Sequence, residues 1–151
     1  MYPTKTLLAT DGSKESTPAV RTAVELANSA GSELHVVHAI SSAPQRPYPR
    51  YYERSKSEEL LQRKRVAALI LLDEKVSQVE KVGGIVAGSY YREGEPVKDV
   101  LRLAEELDVG LIITGGRRLA RPRLFWSSSF SMDLFRHAKC PVLLVRGGKA
   151  E

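Results

Sequence analysis

The chain has 151 residues, enough for one ordinary domain with its own core, and we treat residues 1–151 as a single domain. It contains one cysteine, Cys140, and no Cys/His cluster with zinc spacing, which argues against a disulfide or zinc scaffold. There is no signal-like N-terminus and no apolar run near the about 20 residues that span a bilayer, so we expect a cytoplasmic protein without a membrane partner.

The net charge of +5 is concentrated in one short segment. Four arginines there equal all but one of the net positive charges: Arg117, Arg118, Arg121 and Arg123. Basic domains often bind nucleic acid, but positive charge confined to one loop argues against a nucleic-acid-binding protein. The loop could meet phosphate, an acidic partner or only water.

Strand and helix patterns alternate along the first half of the chain. An apolar run over 6–10 stops at Asp11-Gly12-Ser13 and predicts a buried first strand. Apolar residues at helical spacing predict a helix over 18–30, which Gly31 ends. A second strand is predicted over 34–40, followed by a proline-rich loop over 41–52 in which tyrosines and arginines mix.

The second half continues the alternation, with a long helix over 55–82 that Gly83-Gly84 ends. Its broad apolar stripe comprises Leu60, Leu61, Ala67, Ala68, Leu71, Leu72, Val76 and Val79. The remaining predicted elements are strands over 85–91, 109–114 and 142–145 and helices over 96–107 and 127–138.

This βαβαβαβαβ order predicts an α/β fold, a single doubly wound five-stranded parallel sheet of Rossmann-like form with helices on both faces. In such sheets ligands bind beyond the carboxyl ends of the strands, where the winding direction reverses. The loops after the first and fourth strands are therefore the candidate ligand site.

Two groups of residues at these loops have suitable chemistry. Asp11 could accept hydrogen bonds from a ribose or a purine edge, or it could cap the turn that follows it. Gly115-Gly116 reads as a glycine turn, and the serines at 127–129 and 131 open the next helix. Together they could hold a polyphosphate, or they could be a plain turn with a serine helix cap.

No enzyme constellation emerges from the remaining residues. His35 and His38 lie on a strand expected to be buried and read as structural histidines, and Cys140 reads as a small apolar side chain. The tyrosine and arginine loop could be a flap over the site, a partner contact or a solvated loop. The chain therefore reads as a binding or regulatory protein, with slow catalysis at most.

Four segments taken together resemble the universal stress protein family over essentially the whole chain. They are LLATDGS at 7–13, LHVVHA at 34–39, REGEP at 92–96 and RHAKCPVLLV at 136–145. The resemblance implies an adenine nucleotide alpha hydrolase-like sheet and a homodimer paired through the last strand, Val142, Leu143, Leu144 and Val145. In one branch of the family it also implies an ATP site, with Mg²⁺ accompanying the triphosphate.

The ATP pattern of that branch is altered in this chain. It runs Gly, two residues, Gly, nine residues, then Gly followed by Ser or Thr. Counted from Gly115, the second glycine falls on Arg118, the third on Ser128 and the hydroxyl on Ser129. The arginine could block the phosphate path or replace backbone amides with a guanidinium clamp.

The resemblance implies the following contacts for a bound nucleotide. Asp11 and the backbone near Ala39 would hold adenosine, and the phosphates would meet Gly115, Ser129 and Ser131. The remaining candidates are Thr10, Thr114, Arg118, Ser128 and the Phe130 backbone. The alternative is a dimeric family member that binds no nucleotide, acts through protein interactions and has Arg118 across its site.

Overall fold

A computed structural model describes residues 3–10, 17–42, 54–116 and 129–146. The strands are β1 Lys5–Thr10, β2 Glu33–Ser41, β3 Val86–Gly94, β4 Leu111–Gly116 and β5 Val142–Arg146. The helices are α1 Thr17–Ala30, α2 Arg54–Lys81, α3 Pro96–Leu107 and α4 Ser129–His137. The predicted alternation of strands and helices is confirmed.

All strand pairs are parallel, and the five strands lie in the order β3-β2-β1-β4-β5. The chain builds outward from β1 to β3, then crosses back to place β4 on the other side of β1. The winding direction therefore reverses between β1 and β4, which confirms the predicted doubly wound fold and fixes the place where ligands bind in such sheets.

Both faces of the sheet are covered because neighbouring residues of β1 point to opposite sides. Leu8 packs with Val36 and Ile113 beneath α1 and α2. Leu7 packs with Val37 and Ile112 beneath α3 and α4. Two buried clusters thus hold helices on both sides of one sheet, and the strand sequences are continuous apolar runs for that reason.

The glycines after the fourth predicted strand lie in the strand itself. Asp108 ends α3 in the left-handed conformation, with φ 58°, and β4 begins only at Leu111. The strand then continues through Gly115 and Gly116, which pair with Val145 and Arg146 of β5. The predicted glycine turn at this position is wrong, because pairing with β5 extends the strand by two residues.

The third strand also begins and ends later in the sequence than the predicted strand over 85–91. It begins after Ile85, which is 83% exposed, and continues to Gly94. The neighbouring β2 includes Ser41, which pairs with Gly94, so this residue belongs to the sheet and not to the predicted loop. Residues 43–52 of that loop lie outside the described residues.

Helix α2 is fixed to the edge of the sheet by both apolar and charged contacts. The Arg65 guanidinium donates two hydrogen bonds, of 2.7 and 2.8 Å, to the Glu93 carboxylate, and the Tyr91 hydroxyl donates a third of 2.9 Å. The hydrogen bond from Arg65 lowers the pKa of Glu93, while burial raises the pKa of Tyr91 to about 12. Within the part of the chain that the structure describes, no helix is long and apolar enough to cross a membrane.

The turn after α2 needs a glycine for a steric reason. A Cβ at Gly84 would lie 2.6 Å from Val79 Cγ1 and 2.8 Å from Val24 Cγ2. We predict that Gly84→Ala lowers the free energy of unfolding by about 1–3 kcal/mol, since the core must shift to admit the methyl group. Urea denaturation measures the loss.

The adjacent Ile85→Ala is the control for this change, because its side chain is mostly exposed. It should alter stability by less than about 0.5 kcal/mol. Equal stability of Gly84→Ala and wild type would contradict the close packing of this turn.

Candidate functional site

Four of the predicted site residues meet at the carboxyl edge of the sheet. Thr10 is the last residue of β1, and the residue before it pairs with Thr114 of β4. On the other side Thr10 pairs with His38, so Ala39 lies one residue further along β2. Thr10, Ala39 and Thr114 are all buried, and Gly115 continues β4 at the same level. The register brings these residues to the edge where the winding reverses.

The start of α4 is tied to this edge through Ser131. Its hydroxyl donates a hydrogen bond of 2.8 Å to the Gly115 carbonyl and lies 3.4 Å from the Thr114 hydroxyl. Ser131 is buried, and Phe130 packs partly buried against the core beneath α3 and α4. The first turn of α4, which Ser129 opens, is therefore held at the carboxyl end of β4. The amides and the positive dipole end of a helix start favour an anion.

His38 holds the end of β1 in place. Its Nδ1 lies 3.0 Å from the Thr10 carbonyl in a buried contact, and because a carbonyl only accepts, Nδ1 carries the proton. This bond fixes the backbone immediately before Asp11. Sequence reasoning assigned His38 a structural role but did not find this partner, since only the β1 to β2 register reveals it.

His35 is the second buried histidine of β2. Its Nδ1 lies 3.0 Å from the Tyr90 hydroxyl, and the two rings are 5.8 Å apart. Its Nε2 is 3.7 Å from a Glu33 carboxylate oxygen, beyond hydrogen-bond distance. Both contacts lie toward the amino end of β2, so His35 is remote from the candidate site.

Other predicted site residues lie outside the described residues. These are Asp11, Arg118 and Ser128, together with Arg117, Arg121 and Arg123 of the basic segment. Asp11 directly follows Thr10, so the chain brings it to this edge whatever its side chain does. The choice between an occluding and a clamping Arg118 stays a prediction.

A separate groove of about 360 Å³ opens at the opposite, amino-end edge of the sheet. Leu101, Val109 and Ile112 line its floor, and Cys140 lies half-buried beside them. Burial raises the pKa of the Cys140 thiol, which keeps it protonated and poorly nucleophilic. This agrees with the prediction of a small apolar side chain.

The sequence matches the model of the universal stress protein family over residues 3–146. The chain belongs to the universal stress protein family. It is 32% identical over 150 residues to the universal stress protein YxiE of Bacillus subtilis, an alignment that covers 94% of this chain and 98% of the relative.

Solved universal stress proteins share the fold. A crystal structure of one in complex with cAMP matches with a TM-score of 0.72 at 22% identity, covering 98% of this chain and 100% of that one. The universal stress protein from Archaeoglobus fulgidus in complex with dAMP matches with a TM-score of 0.60 at 21% identity, covering 96% and 99%. At these identities the likeness concerns the fold.

The Ser131 contact makes a stability prediction for this universal stress protein. Ser131→Ala leaves the buried Gly115 carbonyl without the hydrogen bond that links α4 to β4. We expect this change to lower the free energy of unfolding by about 1–3 kcal/mol. Thermal or urea unfolding measures the change. Ser29→Ala, at an exposed helical position, is the control and should shift stability by less than about 0.5 kcal/mol. Identical losses in the two variants would refute a specific role for Ser131.

Proposed function

We propose that this universal stress protein is a cytoplasmic stress-response module that binds an adenine nucleotide across the carboxyl ends of β1 and β4. The observation that carries the proposal is the hydrogen bond of 2.8 Å from Ser131 to Gly115. This bond fixes the first turn of α4 beside Gly115, near the carboxyl end of β4, where the winding direction reverses. The amino end of a helix stabilises a bound anion.

Each part of the nucleotide has a partner in this arrangement. Thr10, held by His38, positions the following Asp11, whose carboxylate can accept hydrogen bonds from the ribose or base. Gly115 has no side chain, so phosphate oxygens can approach the β4 backbone closely. The start of α4, with Ser129, supplies amides for the same oxygens, and Arg118 joins them as a guanidinium clamp.

The solved relatives support an adenine ligand. The structures of two family members of the same fold are complexes with cAMP and with dAMP, ligands that share the adenine base and carry a single phosphate group. Recognition through base and sugar at β1 is compatible with phosphate groups of different length at β4. We therefore take the adenine nucleotide class as the ligand, with ATP as its triphosphate member.

Binding, and not rapid turnover, is the activity that the site chemistry favours. The described residues at this edge are threonines, alanine, glycine and serine, and the His38 Nδ1 proton is engaged by Thr10. No group of three His, Cys, Asp or Glu residues within the described ranges could hold a metal ion. Where the nucleotide is a triphosphate, we expect Mg²⁺ to accompany it, as the family resemblance implies.

Thermal unfolding with saturable nucleotide tests the proposal. A ligand at about 100 times its dissociation constant adds roughly 2.7 kcal/mol of stability, and each kcal/mol raises Tm by about 2–4 °C for a domain of this size. We expect Mg-ATP and AMP to raise Tm and inorganic triphosphate to leave it unchanged. Asp11→Ala should weaken binding about 10- to 100-fold, because it removes a charged hydrogen-bond acceptor.

Asp108→Asn is the matched control, since its side chain lies at the opposite edge of the sheet and asparagine also tolerates the left-handed conformation there. It should bind nucleotide like wild type. Two results would count against the proposal: no Tm shift with any adenine nucleotide, or an Asp11→Ala variant that binds as tightly as wild type. The first would instead favour the alternative in which Arg118 occludes the site.

We also propose that the protein forms a homodimer through β5. The strand order places β5 at an edge of the sheet, and Val142, Leu143, Leu144 and Val145 are each only half-buried. Pairing of two such edges would satisfy their backbone groups and cover the apolar side chains. Light scattering should give the mass of a dimer at micromolar concentration, and a monomer mass there would rule this interface out.

A further inference from the structure

The outer face of α2 is apolar at its centre. Val66, Leu69 and Ile70 are 49%, 48% and 54% exposed on that face. The opposite face of the helix is buried through Ala68, Leu72 and Val79. A single helix therefore carries apolar residues on both sides, and the residues that the structure describes cover only one of them.

Residues on this outer face recur at a coiled-coil spacing, and all of them are exposed except the half-buried Ser77. Glu59, Arg63, Val66, Ile70, Asp73 and Ser77 follow one another at alternating intervals of four and three residues. That interval keeps one line of side chains facing a partner helix along its length. We name these six residues the α2 seam. It consists of two apolar positions at the centre, a charged position on each side and a polar residue at each end.

The seam is complementary to itself when reversed. If two copies pair antiparallel about a two-fold axis near position 68, Val66 meets Ile70 of the partner subunit and Arg63 meets Asp73 of the partner subunit. Each salt bridge forms twice, once on either side of the apolar centre. Leu69 flanks the centre and covers it further.

The charged positions are available for this pairing. Arg63 and Asp73 are exposed, and neither has an ion-pair partner among the residues that the structure describes. The helix itself is firmly held, because Arg65 on its sheet side is bonded to Glu93 of β3. Its 28 residues span about 42 Å, so the seam is presented on a long, anchored rod.

We propose that the α2 seam is a self-association surface, at which a second copy of this chain packs its own α2 antiparallel. A parallel pairing would place Arg63 against the same arginine and Asp73 against the same aspartate, so charge repulsion selects the antiparallel one. An anionic lipid surface is disfavoured because Glu58, Glu59, Asp73 and Glu74 are exposed on this helix.

The association should be weak and reversible. The apolar and salt-bridging part of the seam, from Arg63 to Asp73, covers about three helical turns. A contact of this length buries less than the roughly 1,200–2,000 Å² typical of stable specific interfaces. The seam lies on α2 and not on the β5 edge, so it is independent of the proposed β5 dimer. The seam joins β5 monomers into pairs, whereas a β5 dimer carries two seams and can associate through both.

Sedimentation velocity over a wide concentration range tests the proposal with charge swaps. Wild type should show a reversible, concentration-dependent step from the base species to species of at least twice its mass. Arg63→Asp and Asp73→Arg should each weaken this step by about tenfold or more, because each creates two like-charge contacts across the axis. The double variant Arg63→Asp/Asp73→Arg should restore association to within about threefold of wild type, since the pairing is re-formed with its charges exchanged.

Arg21→Asp on the exposed surface of α1 is the matched control, because it makes the same charge change away from the seam. It should leave the step unchanged, and circular dichroism should confirm that every variant is folded. The proposal is overturned if wild type shows no such step, if Arg63→Asp associates like wild type, or if the double variant fails to recover. Loss of the β5 dimer in any variant would instead report on the other interface.

Discussion

The rest of the molecule depends on the position of β1 at the centre of the sheet. The strand bonds to β2 on one side and to β4 on the other, and five of its six residues are buried. Both of its faces must be covered, which requires helices above and below the sheet. Both of its edges are occupied, so the chain has to reverse its direction of winding beside it. The crevice at Thr10 is the geometric result of that reversal.

The same burial decides where polar side chains of the inner strands can lie. Two polar contacts lie at the ends of β1: the Thr6 hydroxyl meets the Ser32 hydroxyl at the amino end, and His38 Nδ1 meets the Thr10 carbonyl at the carboxyl end. Ser131 does the same for Gly115 on β4. His35 of β2 is only half satisfied, because its Nδ1 meets Tyr90 while its Nε2 has no hydrogen-bond partner among the described residues. An unpaired polar group at these depths would be costly. The contacts that satisfy burial are therefore also the ones that place the loops and helix start of the candidate site.

Much of the fold could be predicted from the sequence, because parallel strands are apolar runs and Gly31 and Gly83 end their helices at positive φ. Three features could not. Gly115 looks like a turn residue, and only pairing with β5 makes it part of a strand. The partner of His38 follows from register alone. The predicted apolar stripe of α2 includes Leu60 and Ala67, but both residues are exposed, so the buried face is narrower than predicted. Residues 66–72 of this helix are apolar without interruption, so the sequence there does not reveal which side is buried.

The reactivity of the half-buried Cys140 reports local opening of the domain around it. Cys140 is the single thiol in the sequence, it lies at the junction of α3, α4 and the start of β5, and its raised pKa slows its reaction in the closed state. The half-buried thiol can therefore react slowly while this corner of the domain is closed, and faster when the corner opens. The labelling rate rises with every change that favours local opening. The labelling rate of Cys140 is thus a native probe of local stability at the junction of α3, α4 and β5.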